Sequence, residues 1–578
     1  MNAKVHNQIY HTANALEWGN NNSYQFRENT EGSNLKIIPI SGVEMVGTNC
    51  TLFEYENDIM IVDAGLGFPG EMLVGVDGLV PNLSYLYDKK DKVRGLVITH
   101  GHTDHIGGIH HIIEKIGFPM IYAPKLAAGL IREKLKETPY AAQVKITEID
   151  GDSTYYLGKF RVSHFKMTHT IPDNYGVCVD TPVGRIVSTS DYKFDSSPYN
   201  ESPSDYSKLA KLGDEGVLLA LDESTNAKKQ GWSESETDIA KDMEDIIRSA
   251  SGRVIIGMFS TMVNRIRQIV EIADRQGKKV AVLGRSLETI VRITHGLGYI
   301  NVSNSVFVPF EEINRIGDDK IVILTTGSQG EANAALMRIA KGEHPKVQLK
   351  SSDTVVFSSS RIPGNETKID YLINMITERG VKVLTNDYLT LHATGHGFQE
   401  DHKLMIRLLK PKFFMPVHGE PSMLAAHRET AMMMGYPEQN IIMPANGMVI
   451  EVWKDGWKIN GSVESTPLWV EGNRVGDFDP MIVEDRRVLM DEGVIMVAVK
   501  NQATGEFPKE SVDIHHRGFF VQKNDEFFFQ KLPNAILHTI NGLNDRGHDT
   551  VKSVVKRYVE NELQRYYEKR PMVVVSVL

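Results

Sequence analysis

The sequence predicts an α/β protein built from several domains, and three observations carry that prediction. The chain has 578 residues, which at roughly 100–200 residues per domain gives about three or four domains. From about residue 204, apolar runs of buried type (VLLALDES, RVIIGMFS, KKVAVLG, KIVILTTGS) alternate with helical segments such as SETDIAKDMEDIIRSA. That alternation is the pattern of βαβ units and a parallel sheet. Before residue 204 strands dominate, with helices between them. Hydrophobic residues make up 41% and charged residues 24%, so a packed core is available and wholesale disorder is excluded.

The elements follow in chain order. Residues 1–34 are polar and Asn-rich without a sustained period, which reads as a flexible arm. LKIIPIS, CTLFEY, DIMIVDAG and RGLVITH are short apolar strands punctuated by Gly, Asn and Asp. IGGIHHIIEKIG reads as a helix with Ile106, Ile109, Ile112, Ile113 and Ile116 on one stripe. KFRVSHFKM, YGVCVDTP and GRIVSTSD continue the strands. SPSDYSKLAKLGDEG has the composition of a boundary, and TVVFSSS and VKVLTND extend the second block. VWKDGWKINGSVES and VLMDEGVIMVAVK have the look of hairpin strands. A helix over 549–568 places Val551, Val555, Tyr558, Val559 and Tyr566 on one face, and MVVVSVL closes the chain as a strand.

Composition narrows the function classes. The formal net charge of −10 excludes a general basic coat for nucleic acid, although it leaves room for a local basic channel. Two cysteines, Cys50 and Cys178, exclude a disulfide scaffold and a Cys-rich zinc site. No apolar run is long enough to span a bilayer, and the N-terminus lacks a signal-peptide pattern. The expectation is a cytoplasmic protein with no membrane partner.

The strongest local feature is ITHGHTDHIGG. His100, His102, Asp104 and His105 lie on the loop leaving a buried strand. Period-2 alternation points His100 and His102 the same way, so both imidazoles reach one metal. Asp104 and His105 fall where the chain turns into a helix and can serve a second. Imidazole and carboxylate donors suit zinc or manganese without thiolate. His169 in MTHTIPDN and Asp191 in STSDYK also end strand-like runs. A carboxylate with two oxygens could bridge two metals. Taken singly, each is also consistent with a surface His and a turn-forming Asp.

VDAG with Asp63, HGHTDH, His169 and Asp191 together resemble the four motifs of the metallo-β-lactamase superfamily. LDESTNA, GHGFQEDH and MPVHGE resemble the three additional motifs of the β-CASP nucleases, with Glu223, His396 and His418 in the motif positions. A His at the third of these resembles the RNA-cutting members. TGSQGE, SSSRIPGNE, HATGHG and RPMVVVSVL resemble the bacterial ribonuclease J family in particular. Two places depart from the family pattern. Thr394 stands where Ser is usual, and in FSTMVNR Thr261 and Met262 stand where Ser and Asn are usual.

The resemblance implies a metallo-β-lactamase αββα sandwich with an inserted β-CASP parallel α/β domain and a small α+β C-terminal domain. The boundaries it suggests are 1–34 for the arm and 35–203 for the first part of the lactamase domain. The β-CASP insert takes 204–380, the second lactamase part 381–450, a linker 451–484 and the C-terminal domain 485–578. It implies a ribonuclease with 5′→3′ exonuclease and endonuclease action on single-stranded RNA, preferring 5′-monophosphate ends, in RNA maturation and mRNA decay. Two divalent ions, zinc first and manganese as the alternative, would activate water and neutralise the phosphodiester. His100, His102 and His169 would hold one, Asp104, His105 and His418 the other, with Asp191 bridging. His396 would stabilise the phosphate or the leaving group. Asp63, and Glu223 in the same way, would orient a ligand through its far nitrogen. His392, Ala393, Thr394, Gly395 and His396 would cradle a phosphate, and Met262, Val263 and Asn264 would contact RNA. Arg265 and Arg285 are candidates for a basic channel, or equally for ion pairs. Gly75, Asp77 and Asp477 match positions of a structural calcium in some relatives. The C-terminal domain would support a homodimer or homotetramer, and RNA-decay proteins or the ribosome are implied partners. Two other readings stay open: a metal hydrolase of small esters or lactams, and a catalytically silent RNA-decay scaffold.

Overall fold

The computed structural model describes residues 26–29, 32–70, 73–362, 364–386, 389–476, 478–500, 507–508, 510–519 and 526–578. It divides into two compact units. The larger holds Leu79–Leu468 with the described residues up to Phe68; the smaller holds Pro69–Gly78 and Trp469–Leu578. No helix among the described residues is long and apolar enough to cross a membrane.

The larger unit is organised by three sheets. The first, in spatial order, runs Gly456–Ser462, Met448–Trp453, Leu35–Ser41, Cys50–Tyr55, Asp58–Val62, Val93–Val97, Ile121–Pro124 and Ile146–Ile149. The second runs Phe413–Val417, Leu219–Glu223, Gly184–Ser188, Tyr175–Thr181, Phe160–Lys166 and Thr154–Leu157. Alternate residues of the two sheets, among them Ile37, Phe53, Met60 and Val97 against Val162, Val179, Leu219 and Phe413, share one buried layer. The outer face of the second sheet is covered by the helices Tyr206–Glu215, Gln399–Leu409 and Pro421–Met433, whose Leu209, Met405 and Leu424 pack on Phe165, Cys178 and Phe414. Helix Lys125–Leu135 packs beside the far strands of the first sheet. This is the αββα sandwich.

The third sheet is parallel throughout, in the order Lys279–Leu283, Ile321–Thr325, Val254–Gly257, Thr354–Phe357 and Lys382–Leu384. Its strands are apolar along their middles, with Lys279, Thr325, Thr354 and Lys382 at their ends, because both faces are covered. Val254, Ile256, Val322 and Leu324 face the helices Glu236–Ser249 and Val263–Arg275. Ile255, Ile323 and Val355 face Ala335–Lys341 and Glu366–Glu378. Sequence pattern starts this block at 204, but Leu219–Glu223 pairs with Gly184–Ser188 and Phe413–Val417. LALDE therefore belongs to the second lactamase sheet, and its apolar run reads like a parallel strand because it is one. Likewise Gly456–Ser462, expected in a linker, is the edge strand of the first sheet.

The end of the expected flexible arm is held. Phe26 packs edge-on against Phe413 at 5.7 Å between centroids, and the Trp453 indole N–H donates to the Arg27 carbonyl over 3.0 Å. Residues 1–25, 30 and 31 of the arm lie outside the described residues.

In the smaller unit, Val494–Val499 lies between Val512–Arg517 and Met572–Val577. Its inward residues meet the helices Glu526–Asn541 and His548–Tyr567. The final helix buries Val551, Val555, Val559 and Leu563, four residues at i, i+4 spacing. Tyr566, expected on this face, is instead 60% exposed in the last turn of the helix, its ring centroid 4.8 Å from that of Phe528. Among the residues expected to hold calcium, Asp477 lies outside the described residues. The Gly75 carbonyl accepts from the Arg486 guanidinium at 3.1 Å, and the Asp77 carboxylate accepts from the Gly472 N–H at 2.7 Å.

Candidate active site

Five strand ends of the two stacked sheets deliver the site. Asp63 follows Asp58–Val62, His100 and its neighbours follow Val93–Val97, and His169 follows Phe160–Lys166. Asp191 follows Gly184–Ser188, and His418 follows Phe413–Val417. Three of these turns hold a non-glycine residue in the left-handed region: Asp63 at φ 60°, Ser190 at φ 60° and His418 at φ 50°. Such residues are uncommon outside glycine, and they concentrate where a side chain must be aimed.

Two donor sets result. In the first, His102 Nδ1 lies 3.1 Å from His100 Nε2 and 3.0 Å from His169 Nε2. In the second, His105 Nε2 and His418 Nε2 each lie 3.5 Å from Asp104 Oδ2. Asp191 stands between them. Its Oδ2 is 3.2 Å from His105, 3.7 Å from His100 and 3.8 Å from His169, while Oδ1 is 2.7 Å from His418 Nδ1. Each set, with Asp191 included, brings four donor atoms within 4.8 Å of one another.

The far nitrogens are tied down. Asp63 accepts from His105 Nδ1 at 2.7 Å, and from the Thr99 N–H and hydroxyl at 2.9 and 2.8 Å. His100 Nδ1 reaches the Thr99 hydroxyl at 3.0 Å, and His169 Nδ1 donates to the Gly395 carbonyl at 2.7 Å. Bonds of this kind fix the tautomer and direct the other nitrogen's lone pair into the site. Asp63 thus contacts the far nitrogen of His105, and Thr99, which carries no motif signal of its own, lies within reach of both Asp63 and His100. Its only sequence signal is its place just before His100. Asp63→Asn keeps the side-chain shape and tolerates the left-handed backbone, but it weakens the hold on His105. Metal affinity is expected to fall about 10–100-fold, measured by competition with a chelator.

The electrostatics separate the two sets. Burial, the largest influence, holds His100 and His169 well below the ordinary imidazole range and His102 at about 4. Burial also opposes charge on His105 and His418, but the surrounding carboxylates outweigh it, raising His105 well above its ordinary value and His418 to about 10. A carboxylate-rich pocket that favours positive charge this strongly is suited to a cation. His418 Nε2, although buried, has no hydrogen-bond partner. That orphaned atom beside Asp104, with the all-imidazole and carboxylate donor set, fits a divalent metal.

Glu223 and His396 adjoin the second set. His396 Nδ1 is 3.3 Å from Glu223 Oε1, and its ring centroid is 5.1 Å from that of His169. Burial opposes the imidazolium, but the Glu223 carboxylate raises it above its ordinary value. Asn226, the sixth residue of LDESTNA, donates to Thr394 Oγ1 at 2.8 Å and to the His396 carbonyl at 3.3 Å. His392 is held neutral, at about 3, by burial and then by Arg265. Gly395 is required by close approach: a Cβ there would lie 2.4 Å from His169 Cε1. Gly395→Ala should displace the His169 ring, and a ligand shift of about 1 Å is worth about 10²-fold in rate. A kcat loss with unchanged thermal stability is the expected result.

Several residues expected to meet substrate are placed elsewhere. Met262 and Val263 are 4% and 0% exposed, and Met262 packs in the core of the inserted domain, so neither side chain is open to contact RNA. Their apolar character within an otherwise polar loop follows from that burial. Asn264 Nδ2 donates to the His169 carbonyl and to Glu201, each at 3.1 Å, joining the inserted domain to a ligand loop. Arg265 is 1% exposed and pairs with Glu236 at 2.7 Å, so it lies inside the protein rather than along a channel. Arg285 is exposed at the start of helix Arg285–Gly296. Ser358 is buried, with its hydroxyl 2.8 Å from Arg265 Nη1 and 2.7 Å from the Leu391 carbonyl.

Comparison with known proteins agrees with this geometry. The metallo-β-lactamase superfamily model matches residues 43–235, and the ribonuclease J β-CASP domain model matches 251–376. The model of the Zn-dependent metallo-hydrolase RNA specificity domain matches 388–444, and that of the ribonuclease J C-terminal domain matches 481–578. Ribonuclease J 1 of Streptococcus pyogenes is 37% identical, covering 94% of this chain and 97% of its own. Ribonuclease J of Thermus thermophilus is 35% identical over 94% and 95% of the two chains. Ribonuclease J2 of Bacillus subtilis is 33% identical over 96% and 99%. A solved structure of a protein of unknown function from Enterococcus faecalis V583 shares the fold, with a TM-score of 0.52 at 13% identity over 73% of this chain and all of its own. With these identities spread over almost its whole length, and with paired metal-donor sets at the motif residues, the chain belongs to the ribonuclease J family.

Proposed function

We propose that this metal-dependent ribonuclease degrades single-stranded RNA in the 5′→3′ direction from 5′-monophosphate ends and also cuts it internally. In this reading two divalent ions, zinc or manganese, occupy the paired donor sets. The observation that carries it is Asp191, whose one carboxylate lies within 4 Å of imidazoles from both sets. When bound, the ions would supply an activated water and positive charge against the phosphodiester oxygens.

The chain's own groups complete the chemistry. His396 is engaged through Nδ1 with Glu223, which leaves Nε2 to meet the phosphate or give the departing 3′-oxygen its proton. The products are a 3′-hydroxyl and a 5′-phosphate. Thr394 Oγ1 accepts from Asn226 and from the His396 N–H, so its own proton remains for a phosphate oxygen. With the backbone of His392–Gly395 it forms the pocket for the 5′-monophosphate. The test uses 5′-labelled, 5′-monophosphorylated single-stranded RNA with Mn²⁺ or Zn²⁺, and a His102→Ala control. Labelled mononucleotide that disappears in the control supports the end-directed reading. Longer labelled fragments assign internal cutting instead, and no cleavage with either metal overturns the proposal.

The smaller unit is the expected site of self-assembly. Met496 and Val574 are register partners on the outward face of its sheet, 39% and 44% exposed, and apolar residues left outward in this way favour a second copy. Light scattering should give a dimer or tetramer for the full chain and a smaller species for a chain ending at residue 484. An unchanged mass after truncation would move assembly elsewhere.

A further inference from the structure

A second group of ligand-type side chains lies apart from the residues used above. Asp222, His402 and His427 come from the strand Leu219–Glu223 and the helices Gln399–Leu409 and Pro421–Met433. All three are 0% exposed. Successive residues of a strand face opposite ways. Glu223 turns toward His396, and Asp222 turns toward the helices packed on the other side of the sheet.

One donor atom from each of the three lies within 4.8 Å of the others. His427 Nε2 is 3.4 Å from Asp222 Oδ2, and the two imidazole centroids are 4.3 Å apart. The far nitrogens are occupied. His427 Nδ1 is 3.0 Å from the Ser224 hydroxyl, and His402 Nδ1 is 3.0 Å from the Tyr192 hydroxyl. Tyr192 in turn donates to Asp222 Oδ2 at 3.4 Å. If each Nδ1 donates to its hydroxyl, both Nε2 lone pairs point inward. Three atoms are then left over: His402 Nε2, His427 Nε2 and Asp222 Oδ1 are buried without a hydrogen-bond partner.

A buried polar atom left unpaired is destabilising, because it has lost its water without gaining a partner. The two unpaired Nε2 atoms and the Asp222 carboxylate lie together in the interior, one donor atom of each within 4.8 Å of the others. Burial also drives protons off the imidazoles, to about 4 for His402 and about 3 for His427, and holds the Asp222 carboxyl at about 7. A cation satisfies all three at once. Two neutral imidazoles and one carboxylate, each imidazole oriented by a hydroxyl on its far nitrogen, form a donor set for a first-row divalent metal.

We propose that Asp222, His402 and His427 form an additional, structural site for one divalent transition-metal ion, zinc being the expected occupant. The site ties the helices Gln399–Leu409 and Pro421–Met433 to the strand that ends in Glu223. It does no chemistry on RNA. Its metal sets how firmly the Glu223 strand and the segment carrying His418 are held against one another.

The test is made on the full chain. Crystals grown with Zn²⁺ and measured at the zinc absorption edge should show an anomalous peak among Asp222, His402 and His427, in addition to density at the His100 centre. In solution, wild type and His402→Leu are equilibrated in the same zinc buffer and assayed for zinc by mass spectrometry. The variant should hold one zinc fewer per chain, and zinc should raise its melting temperature less than it raises that of the wild type. Equal zinc content overturns the proposal. So does a water molecule or empty density at this point in wild-type crystals whose His100 centre is occupied. The crystal result stands even if the variant does not fold, and neither readout depends on RNA cleavage.

Discussion

Asp191→Ala is expected to lower kcat/KM on RNA by about a thousand-fold or more, equivalent to about 4 kcal/mol of barrier. One carboxylate touches both donor sets: 2.7 Å from His418, 3.2 Å from His105 and 3.7 Å from His100. Removing it takes away a donor from each set and, in the proposed two-ion centre, the negative charge that would hold two cations close together. Metal content should therefore fall along with the rate, and added metal should restore little. Steady-state cleavage with the metal content of the same sample checks both. Activity within tenfold of wild type, at full metal content, would contradict the shared role of Asp191.

Arg265→Ala is expected to destabilise the protein by about 3–5 kcal/mol, the usual cost of breaking a buried ion pair from one side. The Arg265 guanidinium pairs with Glu236 at 2.7 Å and donates to the Ser358 hydroxyl and the Leu391 carbonyl at 2.8 and 2.7 Å. Glu236 is buried, with burial raising its carboxyl and Arg265 and then Lys193 pulling it below the ordinary value. Alanine leaves that carboxylate with the more distant Lys193 ammonium, at 3.7 Å. Urea unfolding measures the loss. Combining Arg265→Met with Glu236→Gln should recover most of it, since neither half of the pair is then a buried charge and Lys193 keeps Asp195 at 3.8 Å. A loss under about 1 kcal/mol for the single variant would mean the pair is not sealed from water. The Leu391 carbonyl also precedes His392–His396, so on the proposed reading of that segment as the phosphate pocket the variant should bind RNA less well even where it remains folded.

The ligands that are close in sequence were legible, and those assembled by topology were not. His100, His102, Asp104 and His105 share one loop between an apolar strand and a glycine-opened helix, and strand alternation alone separates them into two sets. His169, Asp191 and His418 carry weight only through their motif context, because a single His or Asp at a strand end has no periodicity of its own. Arg265 shows the opposite failure. An arginine beside a loop is expected in solvent, and nothing local announces that Glu236, twenty-nine residues earlier, will be folded against it. Met262 and Val263 were misplaced for a related reason. Motif position gave them a contact with RNA, while their apolar side chains belonged to the first turn of a buried helix. The strand Leu219–Glu223 was assigned to the wrong sheet because parallel strands of the two sheets have the same apolar composition. Asp222, His402 and His427 are spread over more than two hundred residues, and each reads alone as a solvated polar side chain.

The pairing of Leu219–Glu223 with Phe413–Val417, in register from Leu219 opposite Phe413 to Glu223 opposite Val417, has a consequence for biosynthesis. The chain leaves the second sheet at Glu223, builds the entire parallel domain, and returns to the next lane of the same sheet. A nascent polypeptide that has just passed Glu223 already carries His100, His102, Asp104, His105, His169 and Asp191, yet it lacks the strand that delivers His418. At translation rates of about 5–20 residues per second, that strand follows roughly 10–40 s later. The inserted domain, with its own apolar core, can condense during this delay. The hydrolytic centre is therefore completed late in synthesis, after much of the polypeptide has been made. Until that strand docks, a growing chain lacks the His418 member of its second donor set.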